Sequence, residues 1–234
     1  MKNKVIGYGT WGLSGLDYGK ISSNKSFKLL SYAYKKGINF FDTAPLYGDG
    51  RVEKLIGKLV KKIDRKKILI CTKCGMLPHK GFKMKQNFKY EKIHNDINKS
   101  LKNLNTNYID ILLLHSPKIK KNSIHNIILN LEKLIKVRKV KKIGISLRSP
   151  NDIKKIPKKS LKKIDYFEFN FNLLDQRAIK LNLFNFMKKN KIKSICRTPL
   201  GFGFLSDKNI IKSKLDDTDH RKNWSNKQIN RWNK

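Results

Sequence analysis

The 234-residue sequence predicts an α/β fold around a parallel sheet, either an open doubly wound sheet or a (β/α)8 barrel. Two observations carry that prediction. Short β-rich apolar runs alternate with stretches in which apolar residues recur every three or four positions. The runs are also nearly continuous in apolar character, the pattern of strands covered on both faces. At 39% hydrophobic the chain can bury a full core, and no Pro/Gly/Ser-rich linker divides it. Residues 1–234 are therefore expected to form a single domain.

Residues 5–11 read as the first strand. Phe27, Leu30, Ala33 and Tyr34 then share one helical face, with Ser22 or Ser23 as cap and Gly37 as stop. A strand at 38–41 precedes a helix marked by Leu55, Ile56, Leu59 and Val60, and a strand at 68–72 follows. The Lys-rich segment 79–89 reads as a long loop. Ile93, Ile97, Leu101 and Leu104 mark the next helix, before a strand at 109–114. Ile124, Ile127, Ile128, Leu131 and Leu134 mark a longer one, before a strand at 142–146. Strands at 166–171 and 194–198 flank a last helix carrying Ala178, Leu181 and Met187. The count is about seven strands.

A net charge of +37 invites a nucleic-acid reading, but the lysines are spread over almost every segment. A diffuse positive surface gives weak, salt-sensitive attraction and favours anionic ligands, so no specific nucleic-acid partner is expected. The N-terminal MKNKVIGYGTWG has no apolar core of signal-peptide length, and no stretch approaches a membrane span. Cys71, Cys74 and Cys196 make no disulfide framework. A cytoplasmic setting without a membrane partner is expected. Cys71 and Cys74 have redox or zinc spacing. Zinc would need two further ligands, and a redox pair wants its first cysteine at a helix N-terminus, whereas Cys71 lies in a predicted strand. No metal site is expected. Gly7-Tyr-Gly-Thr-Trp-Gly12 lacks the spacing and the following helix of a dinucleotide fingerprint, which argues against a Rossmann domain.

Three predicted strands share a grammar: they end in Asp42, Lys73 and His115. A charge at the end of a buried strand is costly unless it is paired or used. In a parallel barrel the C-terminal strand ends converge on one face, where barrel enzymes keep their sites. Tyr47, on the loop after Asp42, can lean over the same mouth. Singly, these residues read as a turn cap, a background lysine, a structural histidine and a packing aromatic. Together they point to a site.

FDTAPLYGDGRVEKLIGK, ILICTK, SLKNLNTNYIDILLLHSP, KKIGIS, FNLLDQRA, TPLGFGFLSDK and DHRKNW occur in this order along the chain. This series resembles the aldo-keto reductase family over essentially the whole sequence. The resemblance implies a (β/α)8 barrel, a nicotinamide cofactor (NADPH, with NADH as the alternative), and a catalytic tetrad of Asp42, Tyr47, Lys73 and His115. Reducing a carbonyl needs a hydride on carbon and a proton on oxygen. A free phenol, with a pKa of about 10, is a sluggish acid at neutral pH. In this scheme Lys73 makes Tyr47 more acidic, Asp42 holds Lys73, and His115 orients the carbonyl oxygen.

By the same resemblance Ser146 bonds the nicotinamide carboxamide, and Arg197 packs on the nicotinamide ring. Pro199, Leu200 and Gly203 belong to a loop over the pyrophosphate, and Trp11 walls the substrate pocket. Glu168 falls at a cofactor position where the family generally has Gln. The family also continues past DHRKNW with a helix, an eighth strand and a basic segment. The expectation is thus a C-terminally shortened barrel, lacking its eighth strand and the helix after it. Its expected activity is NAD(P)H-dependent reduction of an aldehyde or ketone, sugar-derived ones included, to an alcohol by hydride transfer, with Tyr47 as proton donor. The alternative is a weak or inactive truncated remnant acting, if at all, through protein interaction.

Overall fold

The computed structural model describes residues 6–78, 84–206 and 210–233. Seven strands form one parallel sheet in sequence order: β1 Gly7–Gly9, β2 Phe40–Asp42, β3 Leu69–Cys74, β4 Ile109–His115, β5 Val140–Ser146, β6 Tyr166–Asn170 and β7 Lys193–Arg197. All six pairings are parallel. The main helices between them are α1 Ser23–Lys35, α2 Arg51–Val60, α3 Tyr90–Leu104 and α4 Lys121–Lys136. After β5 come the shorter α5 Lys158–Leu161, α6 Arg177–Lys180, α7 Leu183–Lys189 and α8 Asn226–Trp232.

The alternation of side chains along each strand sets up two cores. Phe41, Ile70, Leu112, Leu114, Ile143, Ile145, Phe167 and Phe169 form the larger one with the helices. The opposite sheet face gathers Phe40, Cys71, Ile111, Leu113, Tyr166 and Ile195, contributed by β2, β3, β4, β6 and β7, into a separate small cluster. Side chains from strands so far apart in the sheet meet on one face because the sheet curls into a nearly closed barrel. Among the described residues no ladder joins β7 to β1. This is the seven-stranded α/β barrel that the sequence predicts.

Local chemistry explains several boundaries. The Ser22 hydroxyl accepts from the Lys25 N–H and starts α1, and Gly37, at φ 88°, turns the chain out of it. Gly57 faces α3 so closely that a Cβ there would overlap the Asn103 carbonyl. Gly144 likewise lets β5 approach the Tyr166 carbonyl of β6 and the Leu113 side chain inside the barrel.

The structure corrects three expectations. The helix expected through Ala178 and Met187 is two helices, because Asn182 takes φ 52° between them. The long loop expected at 79–89 contains Lys85–Gln86, which pairs antiparallel with Met76–Leu77. Its residues 79–83, like Val5 of the first strand and residues 207–208 of the TPLGFGFLSDK segment, lie outside the described residues. The first strand itself is shorter than expected, running only from Gly7 to Gly9.

Candidate active site

Parallel register brings the inward-facing residues at the C-terminal strand ends to one mouth. Asp42 lies beside Cys71, Lys73 beside Leu113, His115 beside Ser146, Ser146 beside Glu168, and Asn170 beside Arg197. Thr10 fixes the β2 end: its hydroxyl and its N–H both donate to the Asp42 carbonyl, at 2.8 and 2.9 Å.

The Lys73 side chain is fully buried. Its Nζ donates to Asp42 Oδ1 at 2.6 Å and to the Thr43 carbonyl at 3.1 Å, and reaches the Tyr47 hydroxyl at 3.5 Å. It also stands 3.5 Å from Glu168 Oε1. Two carboxylates thus share one ammonium. Burial raises the Asp42 carboxyl to about 6; Lys73 pulls it down and Glu168 pushes it up. Burial acts in the same upward sense on Glu168, but Lys73, Arg197 and a hydrogen bond with Ser146 outweigh it and hold that acid below its usual range. Lys73 loses charge stability by burial and regains more from Asp42 and Glu168, so its ammonium persists well above the ordinary lysine range.

Tyr47 sits in the turn between β2 and α2, its N–H bonded to the Ala44 carbonyl at 3.0 Å. Its ring stacks on Trp11 at 6.3 Å and meets His115 edge-on at 6.4 Å. The structure therefore brings Asp42, Tyr47, Lys73, His115 and Trp11 together. It modifies one expectation: Lys73 and Arg197 do favour the phenolate, but burial outweighs them, with Asp42 and Glu168 adding to it. The phenol is held above its ordinary value.

Arg197 bridges neighbouring strand ends, donating to Asn170 Oδ1 at 2.8 Å, the Leu147 carbonyl at 3.0 Å and Ser146 Oγ at 3.2 Å. Pro199, Leu200 and Gly203 lie on the loop after β7. This loop makes a tight 3-10 turn at Gly201–Gly203, with Phe202 at φ 59°. A cleft of about 390 Å³ lies beside it, lined by Gly203, Ser206, Ile210, Lys214 and Arg221; it does not reach Lys73.

Sequence reasoning missed the outer wall of the mouth. His220 folds back so that its N–H donates to the Asp17 carbonyl at 2.9 Å, and its ring lies 4.7 Å from both Trp11 and Tyr18. Arg221 lies over Tyr18 and is held by Asp219. No local pattern links residues 203 positions apart. Cys71 and Cys74 fall on opposite faces of β3, both buried, with burial raising both thiols, so their spacing does not make a joint site.

A curled parallel sheet with a buried Lys–Asp pair and a phenol at its C-terminal mouth defines an α/β-barrel protein with a candidate acid–base site. The particular family follows from comparison: the Aldo/keto reductase family matches residues 5–234, and the chain belongs to it. Over 209 residues it is 31% identical to a probable aldo-keto reductase 1 of Glycine max, covering 89% of this chain and 59% of that protein. It is 27% identical over 214 residues to an NADH-specific methylglyoxal reductase of Escherichia coli, covering 86% and 65%. An aldo-keto reductase structure from Bacillus halodurans, in its holo form, superposes with a TM-score of 0.74 at 27% identity, covering 88% of this chain and 65% of that one. The chain thus spans 59 to 65% of the length of these relatives. No helix among the described residues is long and apolar enough to cross a membrane.

Proposed function

We propose that this chain, as one barrel domain over residues 1–234, is an NAD(P)H-dependent oxidoreductase reducing a small aldehyde or ketone to an alcohol. The observation that carries the reading is the fully buried Lys73 ammonium, 2.6 Å from Asp42 and 3.5 Å from the Tyr47 hydroxyl. A charge so placed is paired on one side and set against a phenol on the other.

The strand ends fit a nicotinamide group. Glu168 Oε2 is buried without a hydrogen-bond partner, an acceptor suited to an amide N–H. The Ser146 hydroxyl stands on the neighbouring strand end, and Arg197 lies across both strands. A bound nicotinamide cofactor supplies hydride to the carbonyl carbon. Tyr47 gives its proton to the carbonyl oxygen, Lys73 stabilises the phenolate left behind, and Asp42 keeps Lys73 charged and aimed. His115, edge-on to the phenol, orients the oxygen. Trp11, Tyr18 and His220 wall the substrate side against water. Pro199, Leu200 and Gly203 would lie along the diphosphate. NADPH is the expected donor, with NADH as the alternative because the E. coli relative is named NADH-specific. The three free cysteines suit a reducing cytoplasm.

Titrating the chain with NADPH, and separately with NADH, tests this reading. Trp11 stands at the mouth, so its fluorescence should quench saturably with at least one of them. No saturable change with either would remove the cofactor, and with it the proposed reaction.

A further inference from the structure

Glu168 is the acid that the proton-delivery scheme leaves unused. It is 1% exposed, Oε1 is 3.5 Å from Lys73 Nζ, and Oε2 has no hydrogen-bond partner. A carboxylate is a costly choice at such a depth, where a neutral amide of the same size would fit. Its effect follows from the charges that face the Tyr47 hydroxyl. β2 supplies Asp42, β3 supplies Lys73 and the Cys71 thiol, β4 supplies His115, β6 supplies Glu168 and β7 supplies Arg197; the Tyr18 phenol lies on the substrate side. Lys73 and Arg197 carry two positive charges and Asp42 and Glu168 two negative ones, so the cluster balances. A neutral residue at position 168 would leave it one charge positive, and a net positive charge favours phenolate.

We propose that Glu168 is a positioning residue that divides the Lys73 ammonium between two carboxylates and thereby holds the proton on the Tyr47 hydroxyl. Carbonyl reduction uses the protonated phenol as acid; the reverse oxidation uses phenolate as base. Glu168 thus biases the site towards reduction and moves the oxidation limb to higher pH. The bearing on turnover rests on the reductase reading above; the ionisation itself does not.

The test is a tyrosinate absorbance titration of the full chain without cofactor. The contribution of Tyr47 is isolated by subtracting the same titration of a Tyr47→Phe version of each protein. In Glu168→Gln the Tyr47 component should appear at least about one pH unit lower, a tenfold gain in phenolate at a given pH. Glu168→Asp, which keeps the charge, should stay close to the parent chain. Circular dichroism at each pH confirms that folded protein is being read, and Glu168→Met replaces the Gln variant if the latter unfolds. An unchanged Tyr47 component in the folded neutral variant, or an equal shift in Glu168→Asp, overturns the proposal. Because no cofactor or substrate is present, that failure is separate from a failure to bind NADPH.

Discussion

A lysine with no exposed surface costs several kcal/mol in lost hydration unless other charges repay it. At Lys73 they are Asp42 and Glu168, and the pairing has a measurable consequence for Asp42. The Asp42 carboxyl is raised to about 6 from 3.8, so between these values the folded chain holds a proton that the unfolded chain has released. Its stabilising contribution is full below the unfolded value and is lost as the pH rises through the folded one. Urea unfolding of the parent chain and of Asp42→Asn, which cannot titrate there, should diverge accordingly. Relative to the variant, the parent loses stability on the order of 3 kcal/mol between about pH 4 and pH 6. A flat difference across that interval would contradict the protonation of Asp42. Asp42, Lys73 and His115 are legible in the sequence because ionisable residues closing apolar runs stand out, and Tyr47 because it sits on the loop just after Asp42. Glu168 was legible only as a departure from a resemblance: nothing around YFEFN tells which way its side chain faces or that a lysine lies opposite.

At the scale of elements, legibility followed periodicity. α2, α3 and α4 carry apolar residues at helical spacing over two or more turns, and each was expected where it occurs. The hairpin at Met76–Leu77 and Lys85–Gln86 has two residues a side, too few for alternation to register. The break between α6 and α7 depends on Asn182 taking a left-handed conformation that asparagine tolerates better than most residues. The α2–α3 contact rests on Gly57. Gly57→Ala improves helix propensity by about 1 kcal/mol, but its methyl meets the Asn103 backbone, which cannot move aside as a side chain would. Overpacking of this kind costs about 1–3 kcal/mol, so thermal unfolding should show a lower Tm with native helical content retained. A raised Tm would mean that the two helices are less tightly apposed.

The whole molecule decides what the strand ends mean. Asp42, Lys73, His115, Glu168 and Arg197 are scattered over the sequence and meet only because a parallel sheet puts every C-terminal end on one side and then curls. The parallel sheet is legible in the α/β alternation, and its curl into a barrel only through the family resemblance. The outer wall is legible in neither, since Tyr18 and His220 meet through a return of the chain from its far end. The +37 net charge favours an anionic cofactor. Central to the proposed reaction is delivery of the proton by the Tyr47 hydroxyl. Its most direct test is the rate at which the chain consumes NADPH, or NADH if that is what binds, with a small aldehyde, beside the Tyr47→Phe variant at equal cofactor saturation. The parent chain should turn over and the variant should lose roughly 100-fold or more, with cofactor quenching retained. Equal rates in the two proteins would contradict it.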